Sequence, residues 1–150
     1  MCLHRIIRLT CASAVATSAM TVFSYALSKV CKANYREPEL LSGIFSEETP
    51  SASAPQQKRR GWMAHYLMGI FWSLLYETAV GNRNKSGKSV VFGLGSGIIA
   101  VAAWKLALGR SPRTSQRVEP SFFLQLVPAH VVYALALEYV KPKCPVPKSV

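Results

Sequence analysis

Charge is scarce in this chain, and acid is scarcer. Charged residues make up 17% of its 150 residues, whereas a soluble domain carries about 25%. Seven acidic residues face 18 Lys and Arg, for a net charge of +11. So basic a balance would suit nucleic acid if the cations formed one patch. They sit instead at the ends of apolar blocks, at Arg5, Arg8, Lys29, Lys32, Lys58 to Arg60, Arg110 and Lys141. That is where headgroup anchors belong, and it excludes a nucleic-acid partner. Cysteine excludes little else. Cys2, Cys11, Cys31 and Cys144 have no metal-ligand spacing and form no disulfide framework. No segment alternates with period two, so a membrane β-barrel is excluded. There is no Ser-His-Asp set, no HExxH and no carboxylate pair on one helix, which argues against an enzyme.

What is present is long apolar runs. Half of the residues are hydrophobic, and the mean hydropathy of +0.19 averages greasy blocks with polar connectors. Four blocks span 9–30, 61–80, 89–108 and 121–140. Each approaches the roughly 20 residues that a helix needs to cross about 30 Å of hydrocarbon. Blocks two to four lack the polar face of a soluble bundle helix. The expectation is an all-α, polytopic membrane protein with four transmembrane helices in a single membrane domain. Block one follows Arg5 and Arg8 as a signal peptide would. Its length and the lack of a clean cleavage site favour a retained helix.

The first connector holds KANYREPELLSGIFSEE. Pro38 suits the first turn of a short helix. Leu40, Leu41, Ile44 and Phe45 form one stripe, with Glu37, Glu39, Glu47 and Glu48 elsewhere, as in a short helix lying on the membrane surface or against the bundle. A flexible linker is expected over 49–60, where TPSASAPQQ runs into KRR. The N-terminus, the second connector and the C-terminus share one side. Their Lys and Arg place both termini in the cytoplasm.

The chain reads as a tandem repeat of two helical hairpins. Ala64-His65 precedes Gly69 as Ala129-His130 precedes Ala134, and the halves would be related by an axis along the membrane normal. Blocks one and three carry small residues at every fourth place, including Gly93 and Gly97. Such faces let backbones approach closely, which places helices one and three at the centre.

Ionisable groups inside a membrane are functional candidates. Here they are His65, Glu77, Lys105, His130 and Glu138. Lys105 can snorkel to the interface. Glu77 and Glu138 lie near helix ends on one side, able to reach headgroup water or pair with basic residues. His130 follows Pro128, which frees a backbone carbonyl near Gln125. A neutral histidine hydrogen-bonded between helices is the simplest role for His65 and His130. A proton path through them is the alternative. Haem ligation lacks any further signature, so no cofactor and no metal are expected.

GNRNKSGKS, residues 81–89, imitates a phosphate loop. That loop requires G-x-x-x-x-G-K-[ST] between a strand and a soluble helix. Here five residues separate Gly81 from Gly87, and both flanks are membrane helices, which excludes a nucleotide. The stretch reads as a tight turn, with Gly81 ending one helix, Ser86 or Ser89 capping the next, and Arg83, Lys85 and Lys88 as anchors.

Four further motifs complete the pattern: REPELL, GWMAHYLMG, SGIIAVAAWK and LQLVPAHVVY. Their order and spacing resemble a family of small uncharacterised four-helix bacterial inner-membrane proteins. The matching residues are Arg36, Glu37, Pro38, Glu39, Gly61, Trp62, His65, Tyr66, Gly69, Ser96, Gly97, Trp104, Lys105, Gln125, His130 and Tyr133. The resemblance implies a four-helix inner-membrane protein and brings no activity with it. The functional expectation is a non-enzymatic packing or accessory module in the lipid bilayer, associating with itself or with another membrane protein. The alternative is a small oligomeric transporter or channel using His65 and His130.

Overall fold

The structure, a computed structural model, describes residues 3–81 and 86–141, with side chains from residue 6 onward within them. They form six helices and no strand: α1 (Leu3–Cys31), α2 (Glu37–Glu48), α3 (Ala54–Ala79), α4 (Ser86–Gly109), α5 (Pro112–Ser115) and α6 (Pro120–Val140). Three segments are long and apolar enough to cross a membrane: Ile6–Cys31, Ser86–Gly109 and Pro120–Val140. α3 has the length, at 26 residues, but Trp62, His65, Tyr66, Tyr76 and Glu77 lower its hydropathy below theirs.

Local chemistry sets the element ends. Lys32 takes a left-handed φ of 53° and stops α1. The Ser28 hydroxyl then accepts the Tyr35 N–H at 2.9 Å, and the chain doubles back into α2 with Pro38 in its first turn. Gly81, at φ 71°, follows the end of α3, where a residue without Cβ carries no penalty.

The linker expected over 49–60 is corrected. α3 begins at Ala54, with Pro55 in its first turn. The Ser53 N–H donates to Gln56 Oε1 at 3.1 Å, half of a capping box. Gln56 to Arg60 are then good helix formers. The position of Ser89 also differs from expectation. It lies inside α4, which begins at Ser86, and its hydroxyl is used elsewhere. Arg83 and Lys85 lie outside the described residues, and Lys88 is exposed.

The long helices pack in the order α4, α6, α1, α3, with α2 laid along the first half of α3. Helices one and three are therefore not jointly central. α6 lies between them, because the glycines of α4 and the alanines of α1 let both helices approach it closely. A Cβ on Gly93 would fall 2.6 Å from Val131 Cα, and one on Gly97 2.7 Å from Val127 Cα, so α4 rests on the backbone of α6. On the other side, Ala12 and Ala16 of α1 pack with Ala129, Tyr133 and Leu137 in one core. Gly69 of α3 abuts the Thr17 side chain of α1, and Gly61 abuts Pro38 and Ser42 of α2. α3 and α4 barely touch.

The distribution of polarity is inverted relative to a soluble bundle. Val22, Leu67, Ile98 and Leu124 are 57–77% exposed. Inside, α1 buries Ser13, Thr17, Thr21, Ser24 and Ser28, a polar line at three- and four-residue steps along one helix face.

Candidate functional site

Two polar clusters occupy the interior, towards opposite ends of the bundle. The first is built on the fold-back of α2. The expectation places Glu37 off the apolar stripe of a helix lying on the membrane surface or against the bundle. Glu37 is instead buried, at 1% exposure. The reason is register: Glu37, Leu40 and Ile44 fall at i, i+3 and i+7, one face of α2, and that face enters the bundle. Glu37 Oε1 accepts from the Ser24 hydroxyl at 2.9 Å and from Gln125 Nε2 at 3.0 Å. Helices α1, α2 and α6 thus meet on one oxygen. Glu37 Oε2 is buried without a partner. Burial pushes the Glu37 carboxyl up to about 7, against the lowering by hydrogen bonds from Gln125, its own backbone and Ser24. Arg36 and Glu39 of the same motif stay outside. Arg36 pairs with Glu39 at 3.4 Å, both partly exposed. Pro38 is buried beside Glu37.

The histidines lie nearby, each held by a specific bond. The Thr21 hydroxyl donates to the Thr17 carbonyl at 2.7 Å. Its single proton is therefore spent, and its oxygen accepts from His65 Nε2 at 2.9 Å. This assigns His65 the Nε2–H tautomer and leaves Nδ1 as an acceptor. In His130, Nδ1 contacts the Leu126 carbonyl at 2.8 Å. That nitrogen must carry the proton, and Nε2 is left as the acceptor. Trp72 meets the His130 ring edge-on, with centroids 5.8 Å apart. Tyr133 donates to the Gly69 carbonyl at 2.6 Å and fixes α6 to α3.

These groups share one cavity of about 350 Å³, lined by α1 to α4 and α6. It lies where α3 and α4 diverge. Thr17, Glu37, His65, His130 and Tyr133 supply its polar lining, and Trp72 and Trp104 its aromatic walls. Phe71, at 55% exposure, and Ile99, at 58%, stand at its edge on the apolar outer surface of the bundle. No Lys or Arg among the described residues lines it. Among the described residues, no group of three or more His, Cys, Asp or Glu could hold a metal ion.

The second cluster closes the other end. Lys141 Nζ donates to Glu77 Oε2 at 2.6 Å and to the Gly81 carbonyl at 2.9 Å, with both charged side chains buried. Ser89 donates to Glu138 at 2.6 Å and its oxygen meets the Tyr76 hydroxyl at 2.6 Å. Lys141 is thus an internal ion-pair partner, where sequence reasoning saw an anchor. Lys105 is exposed on α4, its ammonium 5.6 Å from the Phe123 ring centroid.

The candidate residues therefore separate. His65 and His130 line the cavity and Gln125 bonds to Glu37 beside it, whereas Glu77 and Glu138 belong to the opposite end. Sequence reasoning missed Glu37 as an interior acid, Ser24 as its donor, Thr21 as the partner of His65 and Thr17 in the cavity lining. Their spacing along α1 was the available signal. Comparison of the chain with protein-family models, with curated proteins and with solved structures returns no match.

Proposed function

We propose that this chain is a four-span protein of the bacterial inner membrane, acting as a non-enzymatic binding module that receives a lipid-phase guest between α3 and α4. One observation carries the reading: the cavity holding His65, His130 and Glu37 has an apolar edge on the bundle's outer face. A guest dissolved in the bilayer would enter sideways, without crossing water. α3 is the fourth span in this reading. Its 26 residues reach about 39 Å at 1.5 Å each, and its interior polar groups face protein partners, as membrane helices require. The resemblance to small four-helix inner-membrane proteins and the two-hairpin repeat support the same count. Both termini are cytoplasmic, and the module assembles with a second copy or with another membrane protein.

Topology is tested by single cysteines on a cysteine-free background. Lys85 and Val150 should label from the cytoplasm, and Ser51 and Arg113 from the opposite side. Labelling of Ser51 and Lys85 from the same side would overturn four spans.

A second reading, a small oligomeric transporter or channel, is favoured by the convergence of two histidines and a carboxyl on one cavity. Liposome flux separates the two. Proton-dependent flux abolished in His130→Ala would replace the binding module by the transporter. Silence across ions and small solutes supports the module.

A further inference from the structure

The polar lining of the cavity is dominated by acceptors, with the unpartnered Thr17 hydroxyl as a neutral donor among them. Glu37 Oε1 already accepts two hydrogen bonds, and Oε2 is buried with nothing to accept. His65 Nδ1 and His130 Nε2 are lone-pair nitrogens, because each ring has committed its proton elsewhere. Tyr133 has likewise spent its proton on the Gly69 carbonyl. The ordinary way to satisfy a buried carboxylate is a Lys or Arg, and the chain has 18 of them. None of those described lines this cavity. At the other end of the bundle, Glu77 does have its lysine. What the described lining does not supply is a positive charge to meet Glu37.

The walls define the rest of the guest. Trp72 and Trp104 face the space, with Phe71 at the edge. Indole faces attract cations, most strongly where water is excluded. A volume of about 350 Å³ suits a compact ring-bearing molecule rather than a full lipid.

We propose that the α3–α4 cavity binds a lipophilic organic cation, an apolar amine or quaternary onium ion, whose charge is met by Glu37 and whose apolar body lies between Trp72 and Trp104. The inference rests on the four-span binding-module reading and adds the chemical class of the guest. A cation of this kind partitions into the bilayer, enters at the edge formed by Phe71 and Ile99, and supplies the countercharge that Glu37 lacks.

The test uses the full chain in lipid nanodiscs and two ions of like shape and opposite sign, tetraphenylphosphonium and tetraphenylborate. Binding is read as saturable uptake of the radiolabelled ion above that of empty nanodiscs. Tetraphenylphosphonium should saturate at one ion per chain, and its affinity should fall by roughly tenfold or more in Glu37→Gln, as a desolvated charge loses its partner. Tetraphenylborate should show no saturable uptake. Ala100→Phe and Ala103→Phe fill the cavity from α4 with Glu37 intact, so they decide the matter should Glu37→Gln fail to fold. Both should abolish uptake, and Glu138→Gln, at the other end, should leave it unchanged. Equal uptake of both ions, wild-type affinity in Glu37→Gln or in the cavity-filling variants, or no saturable uptake at all would each overturn the inference. The cysteine-labelling pattern is independent of these measurements. Correct labelling with saturable tetraphenylborate would sink the cation and spare the binding module, whereas Ser51 and Lys85 labelling from one side would sink the module.

Discussion

The two ends of the bundle each bury a glutamate, and they treat it differently. At the α3–α4 turn, Glu77 meets Lys141 at 2.6 Å, and the same ammonium also reaches the Gly81 carbonyl. Towards the α2 fold-back, Glu37 meets only neutral donors, and one of its oxygens has none. The first arrangement is a closed clasp. Its charges cancel inside the fold, and nothing further is needed from outside. The second is held in place and left chemically open. A buried group that is fixed but incompletely satisfied is costly, and its place beside two histidines and a cavity is what supports the proposed binding at this end.

The largest expected effect breaks the clasp. Lys141→Met should destabilise the protein by about 3–5 kcal/mol, the usual result of stranding one charge of a buried pair. The double variant Lys141→Met/Glu77→Leu should recover most of that. Thermal unfolding in detergent measures both, and a double variant as weak as the single one would refute the clasp.

Next comes the pH response of the open end. The Glu37 carboxyl, raised by burial to about 7, holds its proton in the fold at pH values where the unfolded chain has released it. Its contribution is full below the ordinary carboxyl pKa near 4.5 and is lost as pH rises to about 7. Wild type measured against Glu37→Gln should therefore lose about 3 kcal/mol of relative stability across that window and stay level above it. The titratable or charged neighbours are Tyr25 on α1, Arg36 and Glu39 on α2, His65 on α3 and His130 on α6. They are present in both proteins and cancel in the difference. A flat difference would show that Glu37 is not desolvated.

A smaller effect separates the histidine from the acid. Thr21→Val removes the acceptor of His65 Nε2–H and should cost about 1–3 kcal/mol. The clasp variants should add to it independently, as distant sites do. The smallest effect lies on the surface. Arg36→Ala breaks the partly exposed pair with Glu39 and should change unfolding by less than about 1 kcal/mol. A larger loss would place that pair in the buried network rather than outside it.

The helices were largely legible from apolar length alone, because nothing else in a sequence resembles 20 greasy residues between cations. The exceptions have physical reasons. Residues 54–60 look like linker by composition, yet Gln56 and the basic run after it are good helix formers once Ser53 and Pro55 start the turn. Glu37 looked like a surface acid because acids usually are. Only its register with Leu40 and Ile44 revealed an inward face. The Ser/Thr line of α1 was written at Ser13, Thr17, Thr21, Ser24 and Ser28, but small residues in such a helix read as packing. The assignment of Lys141 was beyond reach, since a lysine that ends a membrane helix ordinarily faces headgroups. His65 and His130 were legible as candidates. That they share a cavity with Glu37 depends on α2 folding back, a tertiary fact.

The bond from Gln125 to Glu37 spans 88 residues of chain. At a synthesis rate of about 5–20 residues per second, roughly 4–18 seconds separate the two during translation. For that interval the acid has its α1 neighbour Ser24 but not its second donor. The last helix therefore does more than complete the bundle. It acts as a delayed receipt for a group made early, and a ribosome halted before α6 would leave a nascent chain with Glu37 half attended.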